Sequence, residues 1–308
     1  MRCITLAYMP FCTPASPPYS ITAMYSFLKR NLVEGIDVKV LDLNLEFHRL
    51  KFPKFWEYYK DRTRWQDYGV MTCEYRRLTS RIYSKNNRMV VEGQRPELSD
   101  KMLEKIAKDD PDIVAFSLVY SSQAFYTLSM IRDLKKRDKN IVCVVGGPAV
   151  NDILAEAADK VLNDEIELLE YIEDRKVDES KLDLRKDLDL SIYDLDGYFT
   201  PEPVIPIKTS TTCYHKGCTY CSHYSEEKYL EYDLDDIKKT IIKCRQRYFF
   251  LIDDMIHVKR LLEIANVMKQ SDVRWTCQLR PTKEFTLEVL KKLREAGLTM
   301  IMWGVESG

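Results

Sequence analysis

The residues best suited to chemistry are three cysteines in one short loop, TSTTCYHKGCTYCS, at Cys213, Cys218 and Cys221. Thiolates bind zinc and iron–sulfur clusters, and in secreted proteins cysteines form disulfides. A structural zinc site requires four ligands, and a disulfide framework requires an even number of cysteines. Three cysteines therefore predict a metal centre in which one coordination position is left for another ligand.

Two kinds of metal centre are compatible with this loop. Three thiolates can hold three irons of a 4Fe–4S cluster and leave the fourth iron to an exogenous ligand. A zinc site would instead recruit His215 or His223 as its fourth ligand. Zinc ribbons usually have a second ligand pair a dozen or more residues away, whereas the next cysteine here, Cys244, stands alone in a helical pattern. We therefore favour the cluster and keep zinc as the alternative.

The rest of the composition is that of an ordinary globular protein. Nine cysteines in 308 residues, an odd number without a signal-peptide pattern, predict a reducing, cytoplasmic environment. The formal net charge of −1 gives no overall attraction to nucleic acid, and no apolar run reaches the ~18–20 residues of a membrane helix. The isolated cysteines are interpreted as small buried hydrophobes; they are Cys3, Cys12, Cys73, Cys143, Cys244 and Cys277.

Alternating strand and helix patterns in the first half predict an α/β domain, doubly wound and flavodoxin-like, over residues 1–174. Short, continuously apolar strands indicate a parallel sheet covered on both faces, with ligands beyond the carboxyl ends of the strands. The predicted strands are 2–8, 37–43, 112–119 and 140–147.

Residues 51–95 interrupt this pattern with eleven Lys or Arg against five Asp or Glu, interleaved with aromatic residues. One interpretation is a clamp for nucleic acid or substrate, in which basic groups neutralise phosphates and aromatic rings stack on bases. The other, which we favour because no known nucleic-acid-binding module accompanies the segment, is a helical insertion whose aromatic residues pack on the sheet. The sequence thus predicts neither a nucleic-acid nor a membrane partner. Its aromatic residues include Phe55, Trp56, Tyr58, Tyr59 and Trp65.

The second half begins after a predicted linker, residues 175–202, in which single leucines stand between charges. From residue 203 to 308, strand and helix patterns alternate again, and polar residues follow each strand. Four βα-type strands in succession predict part of a (β/α) barrel whose functional face is the carboxyl rim. The predicted strands are 204–211, 247–254, 272–281 and 298–308.

The cysteine loop and the stretches after it resemble the radical SAM superfamily. The spacing Cys213-x4-Cys218-x2-Cys221 is one residue longer than the usual C-x3-C-x2-C and is similar to a subgroup with a CYxxxCxxC loop. The stretches FFLIDDMI, QLRP and WGVESG, at the ends of the next three strands, resemble the branch with an N-terminal cobalamin-binding domain. The resemblance implies a cobalamin-binding-like domain followed by an incomplete radical SAM barrel.

For the barrel, the resemblance implies that the unique iron of a 4Fe–4S cluster binds S-adenosylmethionine, which an electron cleaves to a 5′-deoxyadenosyl radical. Tyr220 would lie near the adenine, and Asp253 and Asp254 would accept hydrogen bonds from the cofactor's ammonium group. Arg280 would pair with the cofactor's carboxylate, and Glu306 would contact the ribose hydroxyls. The alternative roles are a helix N-cap for the two aspartates and a structural position for the arginine.

For the first domain, the resemblance implies cobalamin. Many such domains carry an Asp-x-His-x-x-Gly loop whose histidine ligates cobalt. The equivalent stretch here, DLNLEF, has Asp42, then Asn44 at the histidine position and Phe47 at the glycine position, while His48 is out of register.

Two further positions belong to the same comparison. Ser117 approximates a cobalamin-contacting serine, and Gly146 and Gly147 match paired glycines that let the nucleotide tail approach the backbone. The alternative for the glycines is a tight turn of any doubly wound sheet.

Three function classes follow. The leading one is a radical SAM enzyme that uses cobalamin to transfer a methyl group to an unactivated carbon. The second is a cobalamin-independent radical SAM enzyme that modifies a peptide or small molecule, and the third is a non-enzymatic metal-binding protein. The implied partners of an enzyme are its substrate and an electron donor such as ferredoxin or flavodoxin. The barrels that this half resembles have about six βα units, whereas four strands are predicted here. We therefore expect a C-terminally truncated chain that is inactive alone.

Overall fold

The computed structural model describes residues 2–219, 221 and 228–305. The chain is α/β and contains two parallel sheets, one of five strands and one of four. It divides into two compact units. The first consists of Met1–Leu184 with Gly197–Pro201, and the second consists of Arg185–Asp196 with Glu202–Gly308. The segment predicted as a linker, 175–202, is thus shared between the two units.

The first unit is built on a sheet with the strand order β2-β1-β3-β4-β5 and only parallel pairs, which is one of the two common doubly wound orders. Uninterrupted burial from Ile4 to Tyr8 means that both faces of β1 are covered, since successive side chains point to opposite faces. The two-residue β5 gave no recognisable sequence pattern. The strands are β1 (Arg2–Tyr8), β2 (Ile36–Asp42), β3 (Ile113–Ser117), β4 (Val142–Gly146) and β5 (Lys160–Val161).

Eight helices of the first unit lie among the described residues: α1 (Tyr19–Asn31), α2 (Leu43–Lys51), α3 (Pro53–Lys60), α4 (Tyr68–Val91), α5 (Ser99–Ala107), α6 (Ala124–Arg137), α7 (Asp152–Ala157) and α8 (Glu165–Glu173). Polar residues begin several of them. The side chains of Asp42, Asn151 and Asp164 accept backbone N–H groups in the first turns of α2, α7 and α8. Helices α2, α5, α7 and α8 were not predicted individually, because helices of six to nine residues give little periodic signal.

The basic segment 51–95 is largely helical and contributes α3 and α4. Of the aromatic residues named in the sequence analysis, Phe55, Tyr58 and Tyr59 are buried. Phe55 packs against Tyr75 of α4 with ring centroids 4.9 Å apart. These rings are therefore core residues and are not exposed for stacking on bases.

The second unit is built on a parallel sheet in which each strand pairs with the next along the chain, with β6 and β9 at the edges. Trp275 in β8 is buried, and its indole N–H donates to the Ala296 carbonyl at 2.8 Å. No helix in the described ranges is both long and apolar enough to span a bilayer. The elements are β6 (Val204–Ile207), α9 (Leu234–Cys244), β7 (Tyr248–Leu251), α10 (Val258–Gln270), β8 (Arg274–Leu279), α11 (Leu287–Glu295) and β9 (Leu298–Trp303).

Candidate functional site

The cysteine loop leaves the carboxyl end of β6 and returns to it. An antiparallel bridge joins Ser210 to Glu231, and flanking backbone N–H···O hydrogen bonds of 2.9 and 3.0 Å extend the pairing. We call the two paired stretches, 209–211 and 230–232, the clasp. The clasp closes the base of the loop that carries Cys213, Cys218 and Cys221, so both ends of that loop are fixed to the sheet.

The buried carboxylate of Asp253, just past β7, holds the outgoing stretch of the clasp. Asp253 is 2% exposed. Its two oxygens lie 2.9 and 3.0 Å from the backbone nitrogen of Thr209, and Oδ1 accepts the Ser210 hydroxyl at 2.8 Å. Burial raises the pKa of Asp253, and these donors act against that rise. The family resemblance implies that Asp253 accepts a hydrogen bond from the ammonium group of S-adenosylmethionine. In the structure its carboxylate is hydrogen-bonded within the chain.

The returning stretch of the clasp is held through Glu231. Its Oε1 lies 2.8 Å from Nε2 of His257 and accepts the Tyr229 hydroxyl at 3.2 Å. The ring of Tyr214, next to the first loop cysteine, packs edge-on against both Tyr229 and His257. Sequence reasoning did not single out Ser210, Glu231 or His257, because they come together only where strand ends meet.

The interpretation of Asp253 and Asp254 as the N-cap of the following helix is wrong. Helix α10 begins at Val258, and its N-cap is His257, whose Nδ1 accepts the N–H of Arg260 at 3.3 Å. The two aspartates lie in the turn between β7 and this cap.

The three loop cysteines are all half-buried. The N–H of Cys221 donates to the carbonyl of Cys218 at 3.2 Å, which forms a tight turn between the last two of them. Within the described ranges, no group of three or more His, Cys, Asp or Glu side chains is arranged to hold a metal ion. Tyr220, His223 and Glu306, which sequence reasoning also named, lie outside the described residues.

Arg280 follows β8 and reaches the cysteine loop. Its guanidinium lies 2.8 Å from Nε2 of His215, and its backbone N–H donates to Sδ of Met255 at 3.2 Å. Because a guanidinium is only a donor, Nε2 of His215 must be the acceptor. That lone pair is therefore already used, which weakens His215 as the fourth ligand of a zinc site. The positive charge of Arg280 lies beside the loop, where it can attract an anionic group.

One buried hydroxyl close to the same strand ends has no hydrogen-bond partner among the residues that the structure describes. It is Oγ1 of Thr282, just past β8. Buried polar atoms in native proteins are nearly always paired, so orphaned ones call for an explanation such as a bound group. The carboxyl edge of this sheet therefore has hydrogen-bonding capacity that the described residues do not use.

The isolated cysteines differ in their surroundings. Cys143 and Cys277 are fully buried, and burial raises the pKa of each thiol to about 12. Cys73 is exposed, so its interpretation as a buried hydrophobe is wrong. It lies on α4, whose buried residues Tyr75 and Thr79 are on the opposite face.

In the first unit, the residue at the histidine position of the cobalamin motif is tied to its neighbours. Asn44 is 1% exposed; its Oδ1 accepts the N–H of Cys12 at 3.0 Å, and its Nδ2 lies 3.3 Å from the Cys12 sulfur. Asp42 accepts the N–H of Leu45 at 2.8 Å and the hydroxyl of Tyr198 at 2.9 Å. Burial raises the pKa of Asp42 to about 6. Both side chains thus have structural partners.

His48 is fully buried, and both of its ring nitrogens have partners. Nδ1 lies 2.5 Å from the hydroxyl of Tyr75, and Nε2 lies 2.8 Å from that of Tyr83. Burial lowers the pKa of His48 to about 3. The imidazole is therefore neutral and has no free nitrogen for a cobalt ion.

The paired glycines are required by the chain's own packing. A Cβ on Gly147, where φ is +107°, would lie 2.3 Å from the Leu118 carbonyl oxygen, and one on Gly146 would lie 2.7 Å from that of Leu162. The Ser117 hydroxyl donates to Ser20 at 2.8 Å. The residues implied for cobalamin are thus engaged within the unit, and they do not fit a cobalamin with a ligand from the protein.

No protein-family model, curated protein or solved structure matches this chain.

Proposed function

We propose that the protein is a radical SAM iron–sulfur enzyme that reductively cleaves S-adenosylmethionine to a 5′-deoxyadenosyl radical. The observation that carries the proposal is the loop with Cys213, Cys218 and Cys221 at the carboxyl edge of a parallel sheet, closed at its base by the clasp. In this proposal the second unit is the first four strands of a partial (β/α) barrel, and the first unit is a cobalamin-binding-like domain.

The donor set fits a 4Fe–4S cluster. Three soft thiolates are the preferred ligands of iron–sulfur clusters, and three of them leave one iron open. The occupied Nε2 of His215 argues against that histidine as the fourth ligand of a zinc site. When bound, the reduced cluster supplies the electron that cleaves S-adenosylmethionine, with ferredoxin or flavodoxin as the proposed electron source.

The chain's own residues would bind and orient the S-adenosylmethionine. Arg280, whose guanidinium lies at the cysteine loop, would pair with the carboxylate of the cofactor. Asp254 is the aspartate proposed to accept hydrogen bonds from its ammonium group. The hydroxyl of Thr282, which has no partner among the described residues, offers a further hydrogen bond at the same sheet edge. Tyr220 and Glu306 stay predictions for the adenine and ribose.

The substrate is proposed to be a peptide or small molecule. Methyl transfer to an unactivated carbon is the narrower proposal and depends on cobalamin in the first unit. Since Asn44 and His48 are both engaged within that unit, we assign no reaction step to cobalamin. The cobalamin-independent modification of a peptide or small molecule is therefore the form of the proposal that these contacts favour.

The direct test is anaerobic reconstitution with iron and sulfide, followed by dithionite and S-adenosylmethionine. We expect a brown protein with about four iron and four sulfide per chain. It should release 5′-deoxyadenosine, which is measured by liquid chromatography, and this result would overturn the expectation that the chain is inactive alone. Stoichiometric zinc that iron cannot displace, or a loaded cluster that never cleaves the cofactor, would contradict the proposal and favour a non-enzymatic metal-binding protein.

A separate prediction concerns cobalt. Any cobalamin that the protein takes up should lack an imidazole ligand from the protein, because Asn44 stands at the histidine position and both nitrogens of His48 are bonded. Electron paramagnetic resonance of the Co(II) form should show no nitrogen hyperfine splitting from an axial imidazole. Such a splitting would show that this assignment is wrong. If the splitting then disappeared in the variant His48→Gln, His48 would be the cobalt ligand.

A further inference from the structure

We propose that Asp253 is a positioning residue for the metal-binding loop and does not bind S-adenosylmethionine directly. It would act through the clasp, by fixing the chain that leads into Cys213. This inference rests on the proposed function, since it assumes that the loop cysteines hold a cluster.

Asp253 is connected to the chain shortly before the first loop cysteine. Its carboxylate binds the backbone nitrogen of Thr209 and the hydroxyl of Ser210. That hydroxyl also lies 3.3 Å from the carbonyl oxygen of Thr212, the residue directly before Cys213. Because that hydroxyl has a single hydrogen, which it donates to Asp253, the carboxylate constrains the backbone at Thr209 and Ser210, three residues before the first proposed ligand.

The returning stretch of the clasp, 230–232, is held by the cap and the first turn of α10. His257, the cap of α10, lies 2.8 Å from Glu231, and Nε of Arg260 lies 3.6 Å from the other oxygen of that glutamate. The Arg260 guanidinium also donates to the carbonyl of Tyr232. The β7–α10 turn and the first turn of α10 therefore hold both ends of the loop, Asp253 on the outgoing side and His257 with Arg260 on the returning side.

The physical consequence is that the two ends of the loop are held in place before a metal binds. Fixing both ends of a loop means that its closure entropy is lost on folding and not on metal binding. Residues that orient metal ligands without binding the metal themselves typically contribute about 10- to 100-fold to metal affinity. Loss of the Asp253 carboxylate should therefore loosen the loop and weaken cluster retention.

Direct contact with S-adenosylmethionine is the competing role for Asp253. It would require the cofactor's ammonium group to reach a carboxylate that is 2% exposed and already accepts two donors from the clasp. Removing those donors would leave a buried backbone N–H unpaired, which is costly. The two roles predict different defects, because a positioning residue affects the cluster and a cofactor ligand affects only cofactor binding.

The test compares Asp253→Asn with Asp236→Asn in the full chain. Asp236 is a matched control, since it is 5% exposed in the same unit and accepts the backbone N–H of Lys186 at 2.8 Å. Both variants are reconstituted anaerobically. Iron loss to a chelator, the electron paramagnetic resonance spectrum of the reduced cluster and the affinity for S-adenosylmethionine are then measured. Ser210→Ala is the second variant, in case Asp253→Asn fails to fold.

We expect Asp253→Asn to lose iron about 10- to 100-fold faster than the unmodified protein, with an altered spectrum. Ser210→Ala should show a smaller change in the same direction, and Asp236→Asn should behave like the unmodified protein. Normal iron retention in Asp253→Asn, or in Ser210→Ala if the first variant does not fold, overturns the inference. An intact cluster with weakened cofactor affinity overturns it in favour of direct contact. If the unmodified protein takes up no cluster, the proposed function itself fails.

Discussion

Replacing any one of Cys213, Cys218 or Cys221 with alanine is expected to abolish the iron–sulfur cluster and the cleavage of S-adenosylmethionine. Three thiolates hold three irons, so no spare ligand can take the place of a lost one. Iron per chain should fall from about four to near zero, together with the visible absorption of the cluster. Iron and sulfide analysis of each anaerobically reconstituted variant provides the measurement.

The matched controls are other cysteines of the same chain. Cys73 is exposed on α4, while Cys277 is buried in β8 with a pKa raised to about 12, so neither thiol is suited to hold iron with the loop cysteines. Cys73→Ala and Cys277→Ala should keep both the cluster and the cleavage activity. The assignment of ligands fails if Cys277→Ala loses the cluster or if Cys213→Ala retains it.

Acidification is expected to destabilise the first unit through His48. Burial lowers the pKa of this histidine to about 3 in the folded chain, against an ordinary value of 6.5. As the pH falls below 6.5, the unfolded chain takes up a proton that the folded chain does not, so the free energy of unfolding decreases until the pH reaches about 3. At pH 5 the loss from this group is about 2 kcal/mol.

The variant His48→Gln isolates this contribution. Glutamine does not titrate but keeps one donor and one acceptor for the hydroxyls of Tyr75 and Tyr83. Between pH 7 and pH 5 the free energy of unfolding of the variant should fall by about 2 kcal/mol less than that of the unmodified protein. Urea denaturation at both pH values measures the difference, and equal pH dependence of the two proteins would refute the assignment.

Asp42 provides a control of opposite sign. Its folded-state pKa is raised to about 6 from an ordinary 3.8, so its protonation stabilises the folded chain as the pH falls from about 6 towards 4. Asp42→Asn should therefore remove a stabilising response to acid, whereas His48→Gln removes a destabilising one. The two variants should shift the pH dependence in opposite directions.

The regular elements could be predicted from the sequence because their signals are local. Continuous apolar stretches such as ITLAY and IVAFS predict buried parallel strands wherever they occur, since each residue's preference for burial is its own property. The alternation of strands and helices then sets an α/β fold with parallel sheets. The close spacing of Cys213, Cys218 and Cys221 likewise places three thiols on one loop, and this proximity does not depend on tertiary packing.

The partners of individual polar groups were decided only by the tertiary structure. Nothing near Asp253 in the sequence indicates that its carboxylate binds Thr209 and Ser210. Likewise, the burial of His48 between two tyrosines has no local signature. A hydrogen bond requires two groups within about 3 Å, and groups far apart in the chain meet this condition only after the strands have paired. The sequence by itself thus determined the elements and the loop of thiols, while the packing of strand ends decided which polar side chains are already engaged.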